Sequence, residues 1–108
     1  NGQVINMNVC SVGTLNSSMV SPREVFKSSI LSNAAAFIAI HNHPSGTPIA
    51  SVEDMEVTGR LAECGRMLDI KMVDHIIVAG ESGQMMSFKA EGLLDDHTSS
   101  KMSKAMER

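Results

Sequence analysis

His41, His43 and Asp54 are the residues of this chain best equipped for chemistry. Two imidazoles one residue apart, followed closely by a carboxylate, are donor types that hold a divalent metal through nitrogen, nitrogen and oxygen. Three protein ligands leave the fourth tetrahedral position to water, the catalytic rather than the structural pattern for zinc. Structural sites usually close the tetrahedron with thiolates, and neither Cys10 nor Cys64 is near in sequence. Zinc is the expected ion, because it lowers the pKa of a bound water toward ~7 and makes a hydroxide nucleophile at neutral pH. The plainer alternative is that the histidines are incidental to a Pro- and Gly-containing loop. Asp54 would then only favour the positive end of its helix.

The flanking elements make convergence plausible. Ala36 to Ile40, AFIAI, is a continuous apolar run of strand length, suited to a central strand covered on both faces. It delivers the chain directly into His41. Residues two apart on a strand share a face, so His41 and His43 do. Ends of central strands beside helix starts are where α/β proteins place ligands. Pro44 to Ala50, PSGTPIA, reads as a turn-rich loop, and Ser51 opens a helix with Asp54 in the capping-box position. That loop can fold the first helical turn back toward the strand end.

The rest of the chain supplies the frame. Residues 3–12 read as a strand, Gly13-Thr14 breaks it, and Leu15 to Val20 suit a short extended piece. Ser21-Pro22-Arg23-Glu24 predicts a helix start, with Ser21 as cap and Glu24 reaching back. Val25, Phe26, Ile30, Leu31 and Ala34 keep helical spacing to about Ala35. In the second helix Met55, Leu61, Ala62, Met67 and Leu68 supply the buried side, weakened by Gly59 and Gly65. Residues 72–79 read as a strand, Gly80 to Gly83 as a hairpin turn, and Gln84 to Phe88 as an antiparallel return. Asp74 and His75, adjacent on that strand, must face opposite ways, so at most one can face the metal; His75 reads as a core or edge histidine, since His is often partly buried. The tail beyond Leu94, with His97, has little apolar periodicity, which predicts a loose helix or disorder. The order β, α, β, α, β, β predicts a layered α/β domain with a mixed sheet.

Composition narrows the function classes. The chain has 108 residues, enough for one domain, and 43% of them are hydrophobic against 19% charged. Phe is the only aromatic, at three copies, and nine Met residues fill core volume in its place. Twelve acids against nine scattered bases give a net charge of -3, no footprint for nucleic acid or an anionic membrane. No segment approaches the ~20 apolar residues that span a bilayer, and NGQVINMNV lacks the pattern of a signal peptide. Two distant cysteines read as free thiols of a reduced, cytoplasmic protein. The chain does not begin with Met, which points to an excised domain.

The full spacing is more specific than its parts. His41-Asn42-His43-Pro44, six further residues, then Ser51 and Asp54 resemble the JAMM motif of the JAB/MPN metalloenzyme superfamily. The RadC-like branch is the nearer likeness, through Ser21 to Lys27, Asn33 to Ala36, His41 to Gly46, Ser51 to Asp54 and Asp74 to Val78. The resemblance runs from about residue 3 to 94, nearly the whole expected domain of 1–94, with 95–108 left as tail. It implies a JAB/MPN-like mixed sheet with flanking helices, layered as in cytidine deaminases. It also implies that His41, His43 and Asp54 bind zinc, and that Ser51 hydrogen-bonds the metal's water or the developing oxyanion.

The superfamily's activity implies a metalloprotease-type hydrolase of peptide or isopeptide bonds, with a protein or peptide as substrate. The branch also carries a historical DNA-repair label, which the acidic, aromatic-poor composition does not support. Homo-oligomers stay open. One departure matters: the superfamily uses an upstream glutamate as general base, and this chain has no Asp or Glu before Glu24. Glu24 itself is placed as a helix-start acid. A fragment or divergent member lacking its first strand and its base is the expected explanation. Loss of general-base catalysis typically costs 10²–10⁴-fold in rate. The rival expectation is therefore a non-catalytic binding module or a DNA-repair accessory.

Overall fold

The computed structural model describes residues 6–12, 21–43 and 47–94. The elements follow the predicted order: β1 (Met7–Val12), α1 (Pro22–Leu31), β2 (Ala36–His43), α2 (Val52–Leu68), β3 (Lys71–Ala79) and β4 (Met85–Ser87). They form an α/β domain with one mixed sheet in the order β1-β2-β3-β4. β1, β2 and β3 run parallel, and β4 returns antiparallel against β3. The predicted extended piece at Leu15 to Val20 and the tail with His97 lie outside the described residues.

Register assigns the faces. Cys10 pairs with Ala39 and Ala39 in turn with His75, while Val12 pairs with His41 and His41 with Ile77, so these side chains share the face that both helices cover. Phe37, Ala39, His75 and Ile77 there are fully buried. The opposite face carries Val9, Ile38, Ile40, Asp74, Ile76 and Val78, which are half-buried or exposed. Among the described residues no helix covers it, so AFIAI is shielded on one face rather than on the expected two. The main core joins Cys10, Val12, Val25, Phe26, Phe37, Val57, Leu61, Ile70 and Met72. Phe26 meets Phe37 edge to face at 5.0 Å, a favoured aromatic geometry.

Both helices depart from the apolar pattern in instructive ways. α1 stops at Leu31, short of Ala35, because Asn33 turns left-handed at φ 55°, a conformation Asn tolerates better than most residues. Ser21 sits at the N-cap without a side-chain capping bond; the Glu24 N–H instead donates to its carbonyl at 3.1 Å. Ile30 and Leu31 are exposed, and Val25, Phe26 and Ser29 face inward. Asn8 explains the polar member: its amide donates to the Ser28 and Ser29 hydroxyls at 2.7 and 3.1 Å. In α2 the buried stripe is Asp54, Val57, Thr58, Leu61 and Gly65, while Met67 and Leu68 are exposed. Gly65 is a contact point, since a Cβ there would stand 2.4 Å from the Ile70 carbonyl oxygen.

The loops follow local chemistry. Asp69 ends α2 in the left-handed region at φ 57°. The β3–β4 turn closes through Gly83 at φ +72°, with the Ala79 N–H donating to the Gln84 carbonyl at 2.8 Å. Cys10 is buried, Cys64 half-buried, and both are free thiols. No described helix is long and apolar enough to cross a membrane.

Candidate functional site

β2 continues beyond its apolar run because parallel pairing persists through His41 opposite Ile77 and His43 opposite Ala79. Backbone bonding, not hydrophobicity, therefore carries the strand to His43. α2 begins at the same end of the sheet, and its first turn presents Asp54. His41 Nδ1 lies 3.0 Å from Asp54 Oδ1, and His43 Nε2 lies 3.5 Å from Asp54 Oδ2. The carboxylate is 2% exposed and His41 8%, whereas His43 opens further to solvent. All three predicted ligands converge.

Ser51 and Asp54 form a complete capping box. The Ser51 hydroxyl accepts from the Asp54 N–H at 3.1 Å and donates to Oδ2 at 2.9 Å. The Ser51 N–H donates to the same oxygen at 2.8 Å. Burial works to raise the Asp54 pKa, but His41 and the two Ser51 donors outweigh it and hold the carboxyl at about 2. Asp54 is thus a fixed anion at neutral pH. The single hydroxyl proton of Ser51 is spent on that carboxylate in this arrangement.

His75 forms the floor of the site. It is fully buried, its ring parallel to His41 at 6.1 Å and to Phe88 at 4.9 Å. Its Nδ1 bonds Thr58 Oγ1, which donates to the Asp54 carbonyl at 2.8 Å. Burial above all, reinforced by the charge of His41, lowers the His75 pKa to about 4 against the pull of Asp54 and Asp74. Asp74 faces the other way, as strand alternation requires. It accepts from the Ser87 hydroxyl at 2.6 Å, the Lys89 N–H at 3.0 Å and the His75 N–H at 2.8 Å. Its work is to pin β4 and the following turn to β3. Thr58 was not among the expected site residues, although its i+4 spacing from Asp54 puts both on one helix face.

The family model of the RadC-like JAB domain matches residues 1–93. This chain belongs to the RadC-like JAB family. It is 48% identical over 92 residues to the UPF0758 protein YsxA of Bacillus subtilis. Over the same length it is 50% identical to a UPF0758 protein of Bacillus licheniformis and 46% to one of Bacillus pumilus. Each alignment takes in 85% of this chain, but the chain spans only about two fifths of these relatives, 39% or 40%.

The donor set of this RadC-like domain can be tested against zinc. Ligands at about 2.0–2.1 Å from a tetrahedral zinc lie about 3.3 Å from one another. The nitrogen–oxygen separations of 3.0 and 3.5 Å bracket that edge. Donor types and spacing fit. Among the described residues, however, no three such groups already stand in a coordinating arrangement. His41 and His43 address different oxygens of Asp54, and Oδ2 is engaged by Ser51. Loading would require the carboxylate or the His43 ring to turn.

Proposed function

We propose that this domain binds zinc through His41, His43 and Asp54 and serves the hydrolysis of peptide or isopeptide bonds in a protein substrate. The observation that carries the reading is the meeting of both imidazoles with one buried carboxylate at the end of a central strand. Membership in the RadC-like JAB family supports it. Zinc, when bound, supplies Lewis acidity toward a carbonyl and a lowered pKa for water.

The chain's own residues have definite tasks in this reading. Asp54, held ionised, brings the negative charge that imidazole nitrogens cannot offer a cation. Ser51 orients that carboxylate through both its N–H and its hydroxyl, and can turn the hydroxyl toward a developing oxyanion only by giving up one of these bonds. His43, the more open of the two imidazoles, lines the approach to the site.

The sequence before Glu24 holds no acid to act as general base, and this favours a second reading for the 108 residues alone: zinc binding without turnover. Metal analysis of the purified chain and of His41→Ala tests the first part. A zinc content near one per chain, lost in the variant, is expected, whereas near-zero zinc in both sinks the proposal. Peptidase assays on this chain and on one extended to the length of its relatives separate the readings. Turnover appearing only in the longer protein places the base outside these residues.

A further inference from the structure

Thr58 has one hydroxyl proton, and the Asp54 carbonyl at 2.8 Å, which can only accept, is placed to receive it. The Thr58 oxygen can then meet His75 Nδ1 only as an acceptor, so the imidazole must bring the proton. That requires the Nδ1–H tautomer, the less populated form of a free histidine side chain in water. It leaves Nε2 as a bare lone pair, and Nε2 is indeed buried with no hydrogen-bond partner among the described residues. The opposite tautomer would bury an unsatisfied N–H at Nε2 and require Thr58 to turn its proton from the Asp54 carbonyl to Nδ1. The ring is also fixed from both sides, by His41 on one face and Phe88 on the other. His75 therefore touches, directly or through one atom, both elements that carry the site: the His41 ring on β2 and the first turn of α2.

We propose that His75, in its Nδ1–H tautomer and hydrogen-bonded to Thr58, is a positioning residue that locks the His41 ring and the Asp54 turn into register with each other. It is not a ligand: its nitrogen is bound to Thr58 and its ring lies behind His41. Its role goes beyond the metal-binding reading and rests on it only for the consequence to zinc affinity. Partners that orient metal ligands typically change affinity by about 10–100-fold when removed.

The test uses the 108-residue chain labelled with ¹⁵N-histidine and stripped of metal by chelator. Long-range ¹H–¹⁵N correlation should show His75 with a protonated-type Nδ1 and an unprotonated-type Nε2. Thr58→Val, which keeps the shape but loses the acceptor, should abolish that pattern and shift the His41 ring nitrogens, while Thr58→Ser should preserve both. Titration with zinc alone should then show affinity lower by at least about tenfold in Thr58→Val and within about threefold of wild type in Thr58→Ser. An Nε2–H pattern in the wild type, or unmoved His41 nitrogens in Thr58→Val, overturns the lock. A wild type that takes up no zinc defeats the proposed function instead, and the metal-free spectra still decide the lock. If Thr58→Val fails to fold, His75→Asn serves in its place. Its amide can donate to Thr58 without stacking, and His41 nitrogens unchanged in that variant would equally overturn the stacking part of the lock.

Discussion

His41 Nδ1 stands 3.0 Å from Asp54 Oδ1, and this contact ties the end of a parallel strand to the first turn of the helix that follows it. The carboxylate is shared between the imidazole pair and the helix cap. Changes to the cap should therefore be felt at the histidines.

Ser51→Ala checks that coupling. It removes a hydroxyl that both caps α2 and orients Asp54, and should cost about 1 kcal/mol of stability. Urea unfolding would measure it. Zinc affinity should fall by about 10–100-fold, whereas an unchanged affinity beside the expected stability loss would show that the cap and the ligand role are independent.

Acid should destabilise the metal-free domain in two stages. His75 has its pKa depressed from 6.5 to about 4 in the fold, so its contribution is full above about 6.5 and lost as pH falls toward 4. Asp54, depressed from 3.8 to about 2, contributes above about 4 and loses that as pH falls toward 2. The upper stage is worth on the order of 3–4 kcal/mol and the lower on the order of 2–3, since one pKa unit corresponds to about 1.4 kcal/mol. Denaturation midpoints from pH 8 to 3 should show the slope beginning near 6.5. His75→Gln should delete the upper stage and leave the lower.

Gly65→Ala should destabilise the domain although alanine is the better helix former. Propensity favours Ala by about 1 kcal/mol, but the new Cβ would stand 2.4 Å from the Ile70 carbonyl oxygen. Overpacking of that kind costs about 1–3 kcal/mol. Thermal unfolding at fixed pH gives the sign directly, and a stabilised variant would mean that the α2–β3 connection yields easily.

Asp74→Ala should free β4 without reaching the proposed ligands His41, His43 and Asp54. The carboxylate receives the Ser87 hydroxyl and the Lys89 and His75 N–H groups on the face away from His41. Hydrogen exchange should accelerate across residues 84–90 while zinc affinity stays within about threefold, the range expected for a group outside the ligand-orienting shell.

Zinc should raise the unfolding midpoint of the wild type, because a ligand bound only by the folded state adds RT ln(1 + [L]/Kd). At a hundredfold excess over Kd the gain is about 2.7 kcal/mol. His43→Ala should lose most of it, and chelator should reverse it in the wild type.

Much of this molecule is written in local pattern. The apolar run at AFIAI, the Ser51 and Asp54 capping signal and the Gly-rich turn before β4 each depend on a few neighbouring residues, so element order and the three converging groups were legible without a structure. Sidedness was not. Ile30, Leu31, Met67 and Leu68 keep helical spacing yet lie exposed, because the faces that meet the sheet include Ser29, Asp54, Thr58 and Gly65, which carry no hydrophobic signal. That the described helices cover only one face of β2 was hidden for a related reason: a strand's own residues do not say what packs over them. His75 shows the division most plainly. Alternation along β3 establishes only that it and Asp74 face opposite ways. Its place behind His41, and its bond to a threonine seventeen residues earlier, come from a sheet register and a helix packing that join distant segments. Donor types and spacing named the three groups; only tertiary structure could show what packs against them.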